Sequence, residues 1–472
     1  RINEVEFDSS WHDLMRIAVG HGLHALPWRE PGPGAHVARA ALFMLLMQAE
    51  SGVGCPISMT YSVMPALRKQ PDVAEEWEPR FLSLDYDERS MPADRKRGAI
   101  CGMWLTEKQG GSDVRANTTS ATPLNGGGPG AEYELIGHKW FCSAPMCDAF
   151  LVLAQTDGGL SCFLLPRWTP DGERNAFRIQ RLKDKMGNRS NALAEVELDG
   201  AWARMVGEEG HGVRTIIEMV NHTRLDCMIG AATGFRAGVV QALHHTAHRA
   251  AFGKDLIEQP LMRNVLADLC VESEAATVAA MRLARAYDES AAGSEEATAF
   301  KRIATAVLKY WTCKRGPAHA GEALECLGGN GFIEESGMPR LFRESPLNSV
   351  WEGSGNVQCL DVLRAMVKTP ASVDAFFAEV EAGTGAEPRL GSYLEQIRKE
   401  LPGDLETIES RARRVVERLA ISLQASLLIR HGDEAVADAF CASRLSGDWG
   451  QTFGTLPAGT DFGRIIERHR VS

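Results

Sequence analysis

Glycine and short polar residues cluster in the loop from Thr106 to Asp113, and these residue types can hold a bound group. The loop reads Thr-Glu-Lys-Gln-Gly-Gly-Ser-Asp. Gly110 and Gly111 let the backbone approach a bulky partner, and Ser112 and Asp113 offer short polar side chains beside it. Taken alone, the Gly-Gly-Ser-Asp segment also has the composition of an ordinary turn. The pattern therefore indicates either a binding loop or a tight turn.

The segments around this loop have the composition of β-strands. Residues 102–143 are predicted to form three strands, with a Gly-rich turn at 125–130 before the second. The basis is that Val, Thr and aromatic residues favour a pleated surface. Short apolar runs at Phe150–Ala154 and Cys162–Leu165 are bounded by turn residues, as in buried strands. The sequence predicts a β-rich domain over residues 96–205.

Helical spacing dominates the rest of the chain. Trp11 and Met15 belong to a helical pattern that predicts an N-terminal helical domain over residues 1–95. Long helical segments with short joints predict a four-helix bundle over residues 206–368. A further helical domain is predicted over residues 373–472. The fold class is therefore α+β.

Bulk composition limits the function classes. The 472 residues are 44% apolar and 24% charged, as in soluble globular proteins, and the formal charge of -11 argues against a surface that seeks nucleic acid generally. The eleven cysteines form no Cys-x-x-Cys pair, which favours buried, reduced thiols and a cytoplasmic location. No apolar run approaches the length of a membrane span.

A histidine cluster raises the possibility of a metal site. His244 and His248 are four residues apart and would share a helix face, with His245 beside them. No accompanying motif supplies the carboxylate and histidine that such a site needs. We therefore expect no metal.

The longer pattern resembles the acyl-CoA dehydrogenase family. In that family a Thr-Glu-x-x-x-Gly-Ser-Asp loop and a Gly-x-Lys-x-aromatic-x-Ser/Thr strand enclose a flavin ring, and Thr106–Asp113 and Gly137–Ser143 have these forms. The segments Lys183–Asn191 and Trp351–Asn356 resemble the AidB branch. The likeness extends to about residue 370. It implies a barrel-like middle domain, bound FAD, acyl-CoA substrates, a homotetramer, and an N-terminus that is incomplete before Arg1.

The resemblance implies a catalytic base in the loop Trp351-Glu-Gly-Ser-Gly. Dehydrogenation of an acyl-CoA needs a carboxylate at the α carbon, and the family places it either in this loop or 26 residues before an Arg-x-x-Phe-Gly motif. Counting back from Arg249 gives Thr223, which cannot serve, so Glu352 is the predicted base. An apolar acyl chain would raise the pKa of Glu352. Arg364 would lower it if the loop folds back to meet the guanidinium, predicting weak activity.

Cofactor contacts carry over by position from the same resemblance. They are Leu105, Thr106, Gly111, Ser112, Phe141, Ser143, Arg249, Phe252, Glu325, Gly328, Gly329, Ser354 and Asn356. Arg249 and Phe252 would reach the FAD of a neighbouring subunit. Glu325 stands where relatives often have Gln, and an acid beside a pyrophosphate is unfavourable. Asn356 is expected to cap the following helix. Arg224 matches a substrate-side arginine in relatives, or forms a helix-surface ion pair.

Two functions are in question. The first is dehydrogenation of short or branched acyl-CoA, and the second is a DNA-associated protective flavoprotein of the alkylation response. DNA binding would require a basic cluster, yet acidic residues outnumber basic ones from Pro370 onward. Opposite an apolar stripe lie arginines interleaved with glutamates, which predicts a salt-bridged, solvated face. The stripe comprises Leu405, Ile408, Ala412, Val416, Leu419, Leu423 and Leu427, and the charged residues are Arg411, Arg413, Arg414, Arg418, Glu406, Glu409 and Glu417.

Overall fold

The computed structural model describes residues 3–401 and 405–471, without the side chains of residues 405–407. Its contacts divide the chain into two compact units. The first unit holds the residues up to Pro31 and Ala49–Thr223, and the second holds Gly32–Gln48 and Arg224–Ser472.

The helices that precede the sheet are α1 (Ser9–Gly20), α2 (Leu26–Arg29), α3 (Ala35–Ala49), α4 (Gly54–Ser62), α5 (Met64–Leu67) and α6 (Pro71–Phe81). Helix α1 begins where the Asp8 side chain accepts a hydrogen bond from the Ser10 N–H, and it buries Trp11 and Met15. Helix α3 belongs to the second unit, where the Arg39 guanidinium forms a buried ion pair with Asp226 at 2.5 and 2.8 Å.

The first unit contains a sheet whose strands close on themselves. They are β1 (Cys101–Trp104), β2 (Ser120–Pro123), β3 (Glu132–Ser143), β4 (Ala149–Thr156), β5 (Gly159–Pro166), β6 (Phe177–Leu182) and β7 (Leu193–Val206). The order β4-β2-β3-β7-β5 returns to β4, because β5 also pairs with β4. Strands β4 and β5 are buried along most of their length. The barrel-like β domain predicted from the sequence is confirmed.

Long helices build the second unit. They are α7 (Gly212–His248), which enters this unit from Arg224 onward, α8 (Pro260–Ala291) and α9 (Glu295–Glu325). The shorter helices α10 (Met338–Glu344) and α11 (Gly355–Lys368) complete this group, and the short hairpin β8 (Ala250–Ala251) and β9 (Lys254–Asp255) follows α7. Helix α9 packs against α8 and α11, and Cys313 of α9 packs with Cys227 and Ala231 of α7. The observed helices extend well beyond the apolar segments from which they were predicted.

The C-terminal segment is helical, as predicted. It comprises α12 (Pro370–Glu381), α13 (Pro388–Glu400), α14 (Leu405–Ser410), α15 (Ala412–His431), α16 (Glu434–Phe440) and α17 (Phe462–His469). The predicted stripe is buried from Ile408 to Leu427, whereas the side chains of Leu405 and Glu406 lie outside the described residues.

The arginines beside this stripe pair differently from the prediction. Arg414 and Arg418 contact Glu400 of α13 rather than glutamates of their own helix, and Arg413 donates to the Asn356 side chain at 2.8 Å. Packing of α13 against α15 brings Glu400 closer than the helical neighbours. The face is therefore salt-bridged, but between helices.

All eleven cysteines are free, and all but Cys55 are buried. The predicted thiols are thus confirmed. Within the described part of the chain, no helix has both the length and the apolar composition needed to cross a membrane, and no three His, Cys, Asp or Glu residues form a group able to hold a metal ion.

Candidate active site

The Thr106 loop lies between β1 and β2 and is tied to β3. The Trp140 N–H donates to the Thr106 carbonyl oxygen at 2.9 Å. A Cβ at Gly111 would come within 2.4 Å of the Thr106 hydroxyl oxygen, so any other residue there would require the Thr106 side chain to move. On β3, Phe141 is exposed and Ser143 half-buried, and Leu105 and Thr106 are also half-buried. The ring-contacting residues predicted in this unit therefore remain accessible.

A buried ion pair joins the loop to the strand. The Lys139 ammonium donates to Glu107 Oε1 at 2.8 Å, and both side chains are inaccessible to solvent. Glu107 also accepts from the backbone and hydroxyl groups of Thr118 and Thr119. Burial opposes ionisation, but Lys139 and these hydrogen bonds hold the pKa of Glu107 well below its usual value. The pair fixes the loop against β3.

Sequence reasoning missed the role of this pair. Glu107 and Lys139 entered only as letters of the two matched motifs. The available signal was that one motif contains Glu107 and the other contains Lys139. Because the two residues are 32 positions apart, no local pattern predicted the contact. Tertiary pairing of β2 and β3 brings them together.

Lys183, the first residue of the segment Lys183–Asn191, contacts strand β3. Its ammonium lies 3.8 Å from the centroid of the Trp140 ring and 4.6 Å from that of Phe141. It also forms an ion pair with Glu195 at 2.8 Å. The aromatic residues of β3 are therefore held by cation–π contacts on the side where Lys183 lies.

In the second unit, a pocket of about 320 Å³ gathers four of the predicted cofactor residues. Arg249, Glu325, Gly328 and Gly329 all line it, together with His245. Burial, and then the charges of Arg249 and His244, lower the pKa of His245. The pocket thus contains one guanidinium and one carboxylate, and a Cβ at Gly328 or Gly329 would meet no neighbouring atom within 4 Å.

Phe252 lies at the tip of the hairpin between β8 and β9. Phe252 and Gly253 have φ values of 54° and 84°, which suit a tight two-residue turn. The Phe252 side chain is 98% exposed. It is therefore not part of the pocket lining of its own unit.

The loop that carries Glu352 has an unusual backbone. Glu352 has a φ of 56°, in the left-handed region that non-glycine residues rarely adopt, and Gly353 follows with a φ of 99°. The side chain of Glu352 is half-buried. Helix α11 begins directly after the loop with Ser354 as its N-cap residue, so the expected cap at Asn356 is wrong. Asn356 is exposed and its side chain accepts from Arg413.

Three side chains hold the carbonyl groups of this loop. Lys309 Nζ donates to the carbonyl oxygens of Trp351 at 2.8 Å and Gly353 at 2.5 Å. The Glu352 carbonyl oxygen accepts from Arg224 Nε at 3.0 Å and from the Gln358 side chain at 3.1 Å. We call these three residues, Lys309, Arg224 and Gln358, the carbonyl clamp.

The structure excludes one of the two alternatives for Arg224 and gives Arg364 a different partner from Glu352. Arg224 is buried, so it is not a helix-surface ion pair, and its guanidinium also contacts Asp361 at 3.0 Å. The Arg364 guanidinium, 59% exposed, contacts Asp361 at 3.5 Å rather than Glu352. Burial opposes the shift, but the guanidinium groups of Arg224 and Arg302 hold the pKa of Asp361 below its usual value. Asp361 and Arg364 are three positions apart and share one helix face, so their contact needs no folding back of the loop.

Comparison with known proteins shows which family the chain belongs to. Residues 1–88 match the N-terminal domain of the adaptive response protein AidB, residues 102–201 the acyl-CoA dehydrogenase middle domain, and residues 210–367 the acyl-CoA dehydrogenase C-terminal domain. AidB of Escherichia coli K12 is 43% identical over 446 residues, covering 93% of this chain and 80% of that protein. The chain belongs to the acyl-CoA dehydrogenase family, in its AidB branch.

Solved members of the acyl-CoA dehydrogenase family share the fold. Caenorhabditis elegans ACDH-11, solved in complex with C11-CoA, is 28% identical with a TM-score of 0.86, over 94% of this chain and 80% of that one. A Bacillus anthracis acyl-CoA dehydrogenase complexed with FAD superposes with a TM-score of 0.75 at 17% identity, over 93% and 81%. Members of this family bind FAD. The predicted fold class and family are confirmed.

The residues present fit an FAD. In the first unit, Gly111 leaves room at Thr106, and the accessible Phe141 offers a ring face for a flat partner. In the second unit, Arg249 supplies a cation in a pocket that two glycines leave open. A guanidinium and close backbone approach are the features that a pyrophosphate requires. Glu325 is the one pocket residue whose charge opposes such a ligand.

Proposed function

We propose that this chain is an FAD-dependent acyl-CoA dehydrogenase in which Glu352 is the base. The observation that carries the proposal is the conformation of Glu352. A left-handed glutamate costs free energy, and such strain concentrates at functional sites. Here the carbonyl clamp maintains it beside α11. We also propose that the chain has four domains, over residues 1–95, 96–205, 206–368 and 373–472.

The proposed reaction removes one proton and one hydride from the acyl group. Glu352 removes the proton from the α carbon of the acyl thioester, and the carboxylate becomes a carboxylic acid. When bound, FAD would accept the hydride that leaves the β carbon. The α,β bond of the acyl group thereby becomes double. Proton removal from so weak an acid requires a carboxylate held at a fixed position, which the carbonyl clamp provides.

The proposed cofactor contacts fall in both units. Leu105, Thr106, Phe141 and Ser143 are proposed to meet the ring, with Gly111 and Ser112 toward the pyrophosphate. Arg249, Glu325, Gly328 and Gly329 form the pocket for an FAD phosphate group, with Ser354 and Asn356 toward the adenosine phosphates. Arg249 and Phe252, the latter exposed at its hairpin tip, are proposed to reach the FAD of a neighbouring copy in a homotetramer, and the pocket residues Glu325, Gly328 and Gly329 are proposed to line that same cofactor.

We propose short or branched acyl-CoA as the substrate and low turnover. Arg364 no longer supplies the reason for low turnover, since it contacts Asp361. The support is instead that Arg224, a buried cation, donates to the carbonyl oxygen of Glu352. Positive charge beside a carboxylate favours its ionised form and makes it a weaker base. Arg224 is thereby proposed to act at the substrate side through the loop.

An anaerobic titration tests the proposal. Purified protein with bound FAD is mixed separately with butyryl-CoA, isovaleryl-CoA and C11-CoA, the last because a relative was solved with it. Bleaching of the flavin absorbance by the first two, lost in Glu352→Gln, is expected. Bleaching only by C11-CoA would overturn the chain-length proposal. Bound FAD without bleaching by any of the three would overturn the dehydrogenase and leave the DNA-associated protective flavoprotein.

A further inference from the structure

Lys309 is the buried ammonium group of the carbonyl clamp, and it exchanges no proton with the substrate in the proposed reaction. It lies in the middle of α9 and is 1% exposed. Its hydrogen bonds go to two carbonyl oxygens, and within the described residues no carboxylate forms an ion pair with it. An ammonium group removed from water without a carboxylate partner is costly. Some benefit to the protein must therefore offset the burial of this charge.

The two acceptors lie on either side of Glu352. Lys309 bonds the carbonyls of Trp351 and Gly353, the residues immediately before and after the proposed base. Arg224 and Gln358 bond the carbonyl of Glu352 itself. Three successive carbonyl groups are thus fixed by donors from α9, α7 and α11. Because peptide groups are planar, fixing them also fixes φ and ψ at Glu352.

The fixed backbone determines where the carboxylate points. A left-handed residue directs its Cα–Cβ bond differently from a right-handed one, and without the clamp the cost of this conformation would favour relaxation to a common region. Trp351 anchors the same loop by packing on Cys227, Ala231 and Cys313. That anchor holds one end of the loop, whereas Lys309 bridges both sides of Glu352.

We propose that Lys309 is a positioning residue for Glu352, acting through the carbonyl oxygens of Trp351 and Gly353. The inference rests on the proposed function, because it concerns the orientation of the proposed base. Lys309 contacts neither substrate nor cofactor in this scheme. Its ammonium group lies within hydrogen-bond distance of the carbonyl oxygens on both sides of Glu352.

Three substitutions separate geometry from charge. Lys309→Met removes both the donors and the charge at similar volume, Lys309→Gln keeps N–H donors without the charge, and Lys309→Arg keeps both. Lys301→Met is the matched control, because Lys301 lies on the same helix, contacts the Tyr287 ring, and is not in the clamp.

Amide hydrogen exchange of the peptide covering residues 347–358 is the first readout. The amides of Val350 and Trp351 donate to the Leu347 carbonyl in this segment. We expect Lys309→Met to raise their exchange rates about tenfold, while Lys309→Gln, Lys309→Arg and Lys301→Met stay within about twofold of wild type. Unchanged exchange in Lys309→Met would overturn the proposal.

Kinetics supply the second readout. Lys309→Met should lower kcat about tenfold or more with KM nearly unchanged, because Lys309 itself contacts no substrate in this scheme. The acid limb of its pH–rate profile should move to higher pH, since a cation near the carboxylate is removed, and the same limb should move in Lys309→Gln. Lys309→Arg should restore kcat in large part. A kcat equal to wild type in Lys309→Met would overturn the proposal.

The two proposals fail in distinguishable ways. If none of the three acyl-CoA compounds bleaches the flavin of the wild-type protein, the dehydrogenase is excluded. The exchange experiment alone then decides whether Lys309 fixes the loop. If wild type bleaches and Glu352→Gln does not, but Lys309→Met equals wild type in exchange and kcat, only the positioning role is lost. If Lys309→Met does not fold, the other two variants decide. The positioning role of Lys309 is rejected if the acid limb of the pH–rate profile of Lys309→Gln lies at the same pH as in wild type and Lys309→Arg loses kcat.

Discussion

Replacing Glu352 by glycine should leave the protein more stable than replacing it by alanine. The φ of 56° places this residue in the left-handed region, where a Cβ costs about 1–2 kcal/mol. Glycine avoids that cost but gains freedom in the unfolded chain, which favours alanine by about 0.4–1 kcal/mol. The difference favours the glycine variant by about 0–1.6 kcal/mol, with a midpoint of about 0.8 kcal/mol. Both variants lack the carboxylate, so its contacts cancel from the comparison.

Glu395 provides a matched control in an ordinary helix. It is exposed on α13, well inside the ends of that helix. At such a position glycine is less favourable than alanine by about 1 kcal/mol. The alanine–glycine difference in the free energy of unfolding should therefore have opposite signs at residues 352 and 395.

Urea unfolding of the four variants, followed by circular dichroism, measures this difference. Protein and FAD concentrations must be equal in all samples, because any ligand or partner copy that binds the folded state shifts its apparent stability. Equal slopes against urea would show that the same surface is exposed in each variant. At residue 395 the glycine variant should be less stable than the alanine variant. The same order at residue 352 would refute the reasoning that the loop is strained and needs a clamp.

Three further changes follow from other contacts. Lys139→Met should destabilise the protein by about 3–5 kcal/mol in urea unfolding, because it leaves Glu107 as an uncompensated buried charge. Since the pKa of Glu107 is lowered on folding, its stabilising contribution is present above the ordinary value of 4.5 and declines on acidification below it. Despite burial, hydrogen bonds from α17 lower the pKa of Glu274 to about 2, so hydrogen-exchange protection of α17 should fall as pH decreases from about 4.5 toward 2. Glu325→Gln should tighten FAD binding roughly tenfold in a fluorescence titration of the apoprotein, because it removes a negative charge from the pocket.

Each of these has a contradicting result. A Lys139→Met protein as stable as wild type would mean that water compensates the Glu107 charge. Protection of α17 that persists unchanged to pH 2 would show that its apolar contacts, not Glu274, hold it. Equal FAD affinity in wild type and Glu325→Gln would place the FAD phosphates away from that carboxylate.

Much of the fold could be predicted because its signals are local. Alternation and apolar runs indicated the β domain, and helical spacing indicated the helices on either side. The stripe from Ile408 to Leu427 is buried as predicted, since side chains three and four apart share one face. Residues 249 and 325–329 are brought together in one pocket, although nothing local in the sequence connects them.

The contact of Arg364 could have been predicted from a local rule. Asp361 precedes Arg364 by three residues, and such pairs are neighbours on any helix. The resemblance to relatives instead suggested a long-range pair with Glu352. The nearer acid forms the contact because it requires no ordering of the loop.

By itself, the sequence determined the types of the elements, the family pattern, the burial of the thiols and the position of Glu352 in a glycine-flanked loop. Only the tertiary structure decided the left-handed conformation of Glu352 and the bonds from Lys309, Arg224 and Gln358 that hold it. Lys309 and Arg224 lie 42 and 128 residues from the carbonyls they bond. Periodicity reports which face of an element is buried, but a hydrogen bond between distant elements depends on how their helices pack.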